Sequence, residues 1–245
     1  MSIPARFATV LTIGALGLLS ACSGDSEADK DAEEFIALSA QEIADAANAA
    51  MGELTAVSIK GTINADGQAI SIDMSLGEGG DCTGSVGIED ATAELLGVGG
   101  TMWFKPDDAF WVASAGDDLA EQIVDVVDGR WVKLPADDSS FAQFCQIDDF
   151  IDSLVDEEAT DKTYTKGEVE ELDGEEVISV VSSQPDRDDG TGLIRVSGTH
   201  YLVQITTEGE DSGEVSFTDF DEAPEVSAPA DDDQVTIEEV QSSVS

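Results

Sequence analysis

Residues 57–76 read VSIKGTINADGQAISIDMSL. Val57, Ile59, Gly61 and Ile63 alternate with Ser58, Lys60 and Thr62, and after NADG (64–67) Ile70, Ile72, Met74 and Leu76 alternate with Ser71, Asp73 and Ser75. A period of two sends successive side chains to opposite faces, so this stretch predicts an antiparallel hairpin with one dry and one wet face. A dry face must be covered by another layer, which makes the hairpin the seed of a larger fold.

Working outward, further strands are predicted at Cys82–Ile88, Thr92–Val98, Thr101–Lys105 and Phe110–Val112, then in RWVKLP (130–135). More follow at Lys162–Leu172, Val177–Ser182, Leu193–Val196, Tyr201–Thr206 and Gly213–Phe220. Short turns join them, which is the pattern of an antiparallel meander and not of βαβ alternation. Three helices are interspersed. Ser39 and Glu42 form a capping-box pair ahead of Ile43, Ala46, Ala47, Ala50 and Leu54. Residues 117–127 place Leu119, Ile123, Val126 and Val127 on one face. Residues 147–155 do the same with Ile147, Phe150, Ile151 and Leu154. The fold class expected is α+β, with few amphipathic helices lying on the dry face of a long antiparallel sheet.

Before this body, MSIPARFATVLTIGALGLLSAC (1–22) carries one base, Arg6, and an apolar run from Phe7 to Leu19. That run falls short of the roughly 20 residues of a spanning helix and fits a secretory signal. Its end, Leu19-Ser20-Ala21-Cys22, resembles a bacterial lipobox, in which the cysteine sulfur takes a diacylglyceryl group. An ordinary signal peptide has the same apolar run but no need of a cysteine at the junction. The next residues, SGDSEADKDAEE (23–34), hold nothing apolar beyond alanine and read as a flexible acidic tether. Two acyl chains at Cys22 would anchor stably where one is marginal. The division expected is a signal peptide at 1–21, acylated cysteine and tether at 22–34, a body at 35–230, and an acidic tail at 231–245.

The whole chain carries 54 acidic and 10 basic residues, a formal net charge of -44. Nucleic-acid partners are excluded by the lack of a basic footprint, and attraction to anionic headgroups through net charge is disfavoured. With Cys22 assigned to lipid, Cys82 and Cys145 remain, and an even remainder in a secreted chain predicts one disulfide. Zinc needs about four ligands, which the single histidine, His200, cannot complete without carboxylates. No metal, cofactor or catalytic residue is expected. His200 has no G-x-S-x-G or H-E-x-x-H around it, and PDRDDGTG (185–192) lacks the spacing of an EF-hand loop.

All three tryptophans, Trp103, Trp111 and Trp131, fall in VGGTMWFKPDDAFWVAS (98–114) and GRWVKLP (129–135), beside Lys105 and Lys133. They read either as core filling or as an aromatic wall of a lipid or glycolipid cavity; on strands, one of Trp103 and Phe104 points inward and the other outward.

In order, VSIKGTI, ISIDMSL, GGDCTGSV (79–86), AELLGVGGTMWFKPDDAFW (93–111), GRWVKLP, FAQFCQIDDFIDSL (141–154) and VSFTDFDEAPEVSAPA (215–230) resemble actinobacterial LolA-like lipoproteins of the LppX/LprG type. The resemblance implies a strongly curved half-barrel capped on its concave face by helices, with a cavity for acyl chains between, and a role in binding or moving lipids at the cell envelope. It carries no catalytic motif.

The expectation is a monomeric, non-enzymatic lipoprotein held on the extracytoplasmic face of the cell membrane, with a lipid or other hydrophobic ligand. Candidate lining residues are Ile59, Ile70, Ile72, Met74, Trp103, Trp111, Leu119, Ile123, Phe150, Ile151 and Leu154. The alternative is a non-catalytic envelope module with a filled core that binds a protein or regulates signalling.

Overall fold

A computed structural model of the chain describes residues 27–65, 67–135, 145–147, 150–151, 162–185, 188–209 and 212–243. The signal peptide, Cys22 and Leu154 lie outside the described residues.

The alternating stretch forms β1 (Ala56–Ala65) and β2 (Gln68–Gly77). Ile59 faces Met74, Gly61 faces Ile72 and Ile63 faces Ile70, so all the apolar positions share one face. β3 (Cys82–Ile88), β4 (Ala91–Val98), β5 (Thr101–Pro106) and β6 (Trp131–Lys133) extend the sheet on one side. On the other side lie β11 (Gly213–Thr218), β10 (Leu202–Thr207), β9 (Gly190–Arg195), β8 (Glu175–Ser183) and β7 (Thr163–Leu172). With β12 (Gln234–Thr236) beyond β6, the result is one open, curved 12-stranded sheet. Every pair is antiparallel except β6–β12. Gly61 lets β1 and β11 approach closely, because a Cβ there would fall on the carbonyl oxygen of Glu214.

Helices lie on the apolar face in two groups. α3 (Asp108–Ala115) and α4 (Asp117–Val127), with α5 (Ile237–Ser243), cover the β1–β6 half. Here Phe104, Trp111, Ile123, Val127, Val132 and Val240 pack with Ile59, Leu76, Leu95 and Phe217. α1 (Glu27–Ala37) and α2 (Ala40–Met51) cover the β7–β10 half, where Phe35, Ile43 and Ala47 pack on Ile178, Val180 and Ile194. A bulge between Leu202 and Gln204 sets Leu202 opposite Ile194, and Leu202 touches both clusters.

The predicted cap is present: Ser39 N–H donates to Glu42 Oε2 at 2.9 Å while Glu42 N–H donates to Ser39 Oγ. The disulfide is also present, with Cys82 and Cys145 Cα atoms 5.4 Å apart. Gly97 faces Cys82 across β3–β4, and a Cβ at Gly97 would sit only 3.0 Å from the Cys82 sulfur.

Three sequence expectations change. Phe110–Val112 is not a strand but the centre of α3: Pro106 ends β5 and Asp107 caps the helix, its Oδ1 accepting the Phe110 N–H at 2.7 Å. The tether expected through residue 34 is helical from Glu27, and Ala32 and Phe35 are buried. Lys166 holds the end of that helix by donating to the carbonyls of Ile36 and Leu38 at 2.9 and 2.8 Å. Of the acidic tail expected at 231–245, residues 231–243 are likewise part of the body, since β12 pairs with β6 and Val235 and Val240 are buried. Hydrogen bonding and two apolar side chains offset its charge. Of the predicted third helix, Ile147, Phe150 and Ile151 are helical, and residues 152–155 lie outside the described residues.

Candidate functional site

From β1 to β6 the helix-side face is apolar, but its cover is uneven. On β2, Leu76 is 0% and Met74 3% exposed, whereas Ile72 and Ile70 further along are half-buried. β3 repeats the gradient: Cys82 is fully buried, Val86 half-buried, and Ile88 46% exposed. The two gradients are one, because Leu76 pairs with Cys82, Ile72 with Val86 and Ile70 with Ile88. Ile63 on β1, opposite Ile70, is half-buried too. α3 contributes Phe110, half-buried, and Val112, 43% exposed. One end of the space between sheet and helices is thus packed solid, and the other leaves a row of isoleucines partly uncovered.

The structure gathers most of the candidate lining here. Ile59 and Met74 form the floor at the packed end, and Ile72 and Ile70 continue it outward. Trp111, Leu119, Ile123, Phe150 and Ile151 belong to the same cluster from the helix side, with Trp111 and Phe104 ring centroids 5.7 Å apart. Trp103 does not join them. It pairs with Leu96, while its neighbour Phe104 pairs with Leu95 on the helix side. Trp103 therefore faces the opposite, open side of the sheet, where its indole N–H donates to Gln234 Oε1 at 2.8 Å. Lys133 lies over Trp103 and Lys105 over Trp131, each ammonium 5.8 Å from the ring centroid. Both lysines thus sit outside the apolar space. Ile63, Val86, Ile88 and Phe110 were absent from the sequence list; for the first three, the period-two alternation simply continues to the strand ends.

Elsewhere the open face holds polar features. A shallow groove of about 940 Å³ is lined by Lys60, Thr62, Asn64, Asp73, Ser85 and Ser216, with Lys60 and Asp73 ion-paired. A smaller hollow of about 220 Å³ lies beside Arg195, which pairs with Glu175 at 2.7 Å and lies over the rings of Tyr201 and Phe220. His200 stacks on Phe35 at 3.6 Å, with Nδ1 3.1 Å from the Arg195 carbonyl oxygen, so its ring helps seat α1. Among the described residues, no group of three or more His, Cys, Asp or Glu is placed to hold a metal, and no helix is long and apolar enough to cross a membrane.

The open curved antiparallel sheet with helices laid on its apolar face is a fold this chain shares with LprF. Among solved structures, LprF from Mycobacterium bovis is similar at a TM-score of 0.55 with 16% identity, over 78% of this chain and 97% of that one. The Mycobacterium tuberculosis lipoprotein LppX gives 0.45 at 12% identity, over 80% and 99%. No family model and no curated protein matches by sequence.

Proposed function

We propose that this chain is a lipoprotein, anchored through diacylglyceryl at Cys22 on the extracytoplasmic face of the cell membrane, whose body binds a lipid or other hydrophobic ligand between sheet and helices. The observation that carries the reading is the graded cover of the apolar face. A folded protein that needed this face only for its core would gain by burying Ile70, Val86 and Ile88 as fully as Leu76 and Leu95. Leaving them accessible keeps an apolar surface that an acyl chain can complete, with a driving force of about 25 cal/mol per Å². Binding of this kind is non-covalent and calls for no catalytic group.

The test is ligand recovery. Residues 23–245 are secreted without the anchor from a lipid-producing actinobacterial host, purified without detergent, extracted and examined by mass spectrometry. Acyl lipids in near-stoichiometric amount are expected. Recovery no greater than from an unrelated acidic protein would sink the proposal. A second reading, a filled module that docks a protein, is favoured by the solid packing of Ile59, Leu76, Leu95 and Phe217; lipid-free protein that captures an envelope protein through the uncovered isoleucines would support it.

A further inference from the structure

The uncovered end of the apolar face has a polar rim, and its charge selects the ligand. Taking the lipid-binding reading as the premise, we infer that the site accepts chains under an uncharged head group and rejects anionic heads such as phosphodiesters.

Three turns meet at this end. The β1–β2 and β3–β4 hairpins are tied together by Glu89, whose N–H donates to the Ala69 carbonyl while its Oε1 accepts the Ala69 N–H. The β3–β4 hairpin is tied in turn to the start of α3, because Thr92 N–H donates to Asp107 Oδ2 and Asp107 N–H donates to the Thr92 carbonyl. These bonds fix Glu89, Asp90, Asp107 and Asp108 beside Ile70, Ile88 and the first turn of α3. Among the described residues, the rim formed by these three turns holds those four carboxylates and no lysine or arginine. The cation nearest in sequence, Lys105, is on the other face of the sheet over Trp131, and Lys133 is on Trp103. Acyl chains entering past Ile70 and Ile88 therefore leave their head group among like charges if it is anionic. A head group with hydroxyls alone meets acceptors it can donate to.

The repulsion acts partly through solvent, so it fades with salt, whereas burial of the chains does not. The test uses the mature chain, residues 22–245, carrying Cys22→Ser, and follows displacement of the uncharged apolar probe N-phenyl-1-naphthylamine. Dioleoylglycerol is compared with dioleoylphosphatidylglycerol, which has the same acyl chains. At 0.15 M salt the glyceride is expected to displace the probe at a concentration at least about tenfold lower, and the gap to narrow at 1 M salt, where the screening length is about 3 Å. Asp90→Asn with Asp108→Asn, both exposed positions, is expected to narrow the gap at 0.15 M by lowering the concentration at which the phosphatidylglycerol displaces the probe. Asp90→Lys should narrow it further. Equal displacement by both lipids, or a gap that neither salt nor these substitutions move, overturns the inference but leaves lipid binding standing. Failure of both lipids to displace the probe overturns the two together.

Discussion

The indole N–H of Trp103 donates to Gln234 Oε1 at 2.8 Å, joining residues 131 positions apart. Gln234 also donates to the Pro229 carbonyl, so the strap after β11 is held across the tryptophan, which is only 4% exposed despite lying on the open face. Deleting residues 231–245 should therefore do more than shorten an acidic end. It leaves β6 as an edge strand and uncovers Trp103 and the surface under Val235 and Val240. A loss of about 3–5 kcal/mol is expected, from two apolar side chains and one indole hydrogen bond, with a red shift in tryptophan emission. An unchanged denaturation midpoint would return these residues to the status of a tail.

Cys82 and Cys145 close a loop with a sequence separation of 63. Replacing both by alanine should cost about 4 kcal/mol on chain-entropy grounds, read as a lower urea midpoint in the oxidised protein. Reductant should bring the native protein to a similar midpoint and leave the double variant unmoved.

Ile59 and Ile70 share a face but not a fate. Ile59 is 1% exposed, so Ile59→Ala should cost about 2–4 kcal/mol. Ile70, half-buried at the uncovered end, should cost about 1 kcal/mol or less as Ile70→Asn, yet weaken lipid-probe binding several-fold. Paired measurements of stability and binding separate the two effects; a binding loss that merely tracks stability would remove Ile70 from the site.

Asp221 accepts the Thr55 backbone N–H at 3.0 Å and the Tyr201 hydroxyl at 2.6 Å, stitching the start of β1 to the end of β11. The Thr55 backbone bond first, and then the Tyr201 bond, hold its carboxyl below the ordinary 3.8. A depressed folded value means stability that is present above the unfolded value and lost as pH falls through the folded one. Tyr201 is pushed above 10.0, chiefly by that same bond to Asp221, so its contribution is present below 10 and lost as pH rises through its folded value. Asp221→Ala should cost about 1–2 kcal/mol near pH 7, a modest figure because the group is exposed, and the difference from the native chain should shrink below pH 3.8. Parallel stability–pH curves would contradict the linkage.

Much of this was legible along the chain wherever the signal was local. Alternation in residues 57–76 assigned the dry face correctly, Ser39 and Glu42 marked a helix start, and residues 117–127 formed the expected helix. Other local signals competed. The aromatic Phe110-Trp111-Val112 favours strand by composition, but Pro106 and the Asp107 cap ahead of it favour helix, and the cap prevails because it satisfies free backbone N–H groups. At 27–34 and 231–245 acidic composition masked what pairing would do, since Lys166 and β6 lie far away in sequence.

By itself the sequence determined strand spacing, face alternation and the cap, because each depends on local backbone geometry, and it left Cys82 and Cys145 as a pair on the premise that Cys22 carries lipid. The tertiary structure alone decided that Trp103 faces away from the apolar space and Phe104 into it, because parity within a strand acquires a direction only once Leu95 and Leu96 are paired beside it. It also decided which isoleucines are covered. Ile59 and Ile70 carry the same side chain in the same pattern, and only the extent of the helix layer above them makes one core and the other an accessible wall.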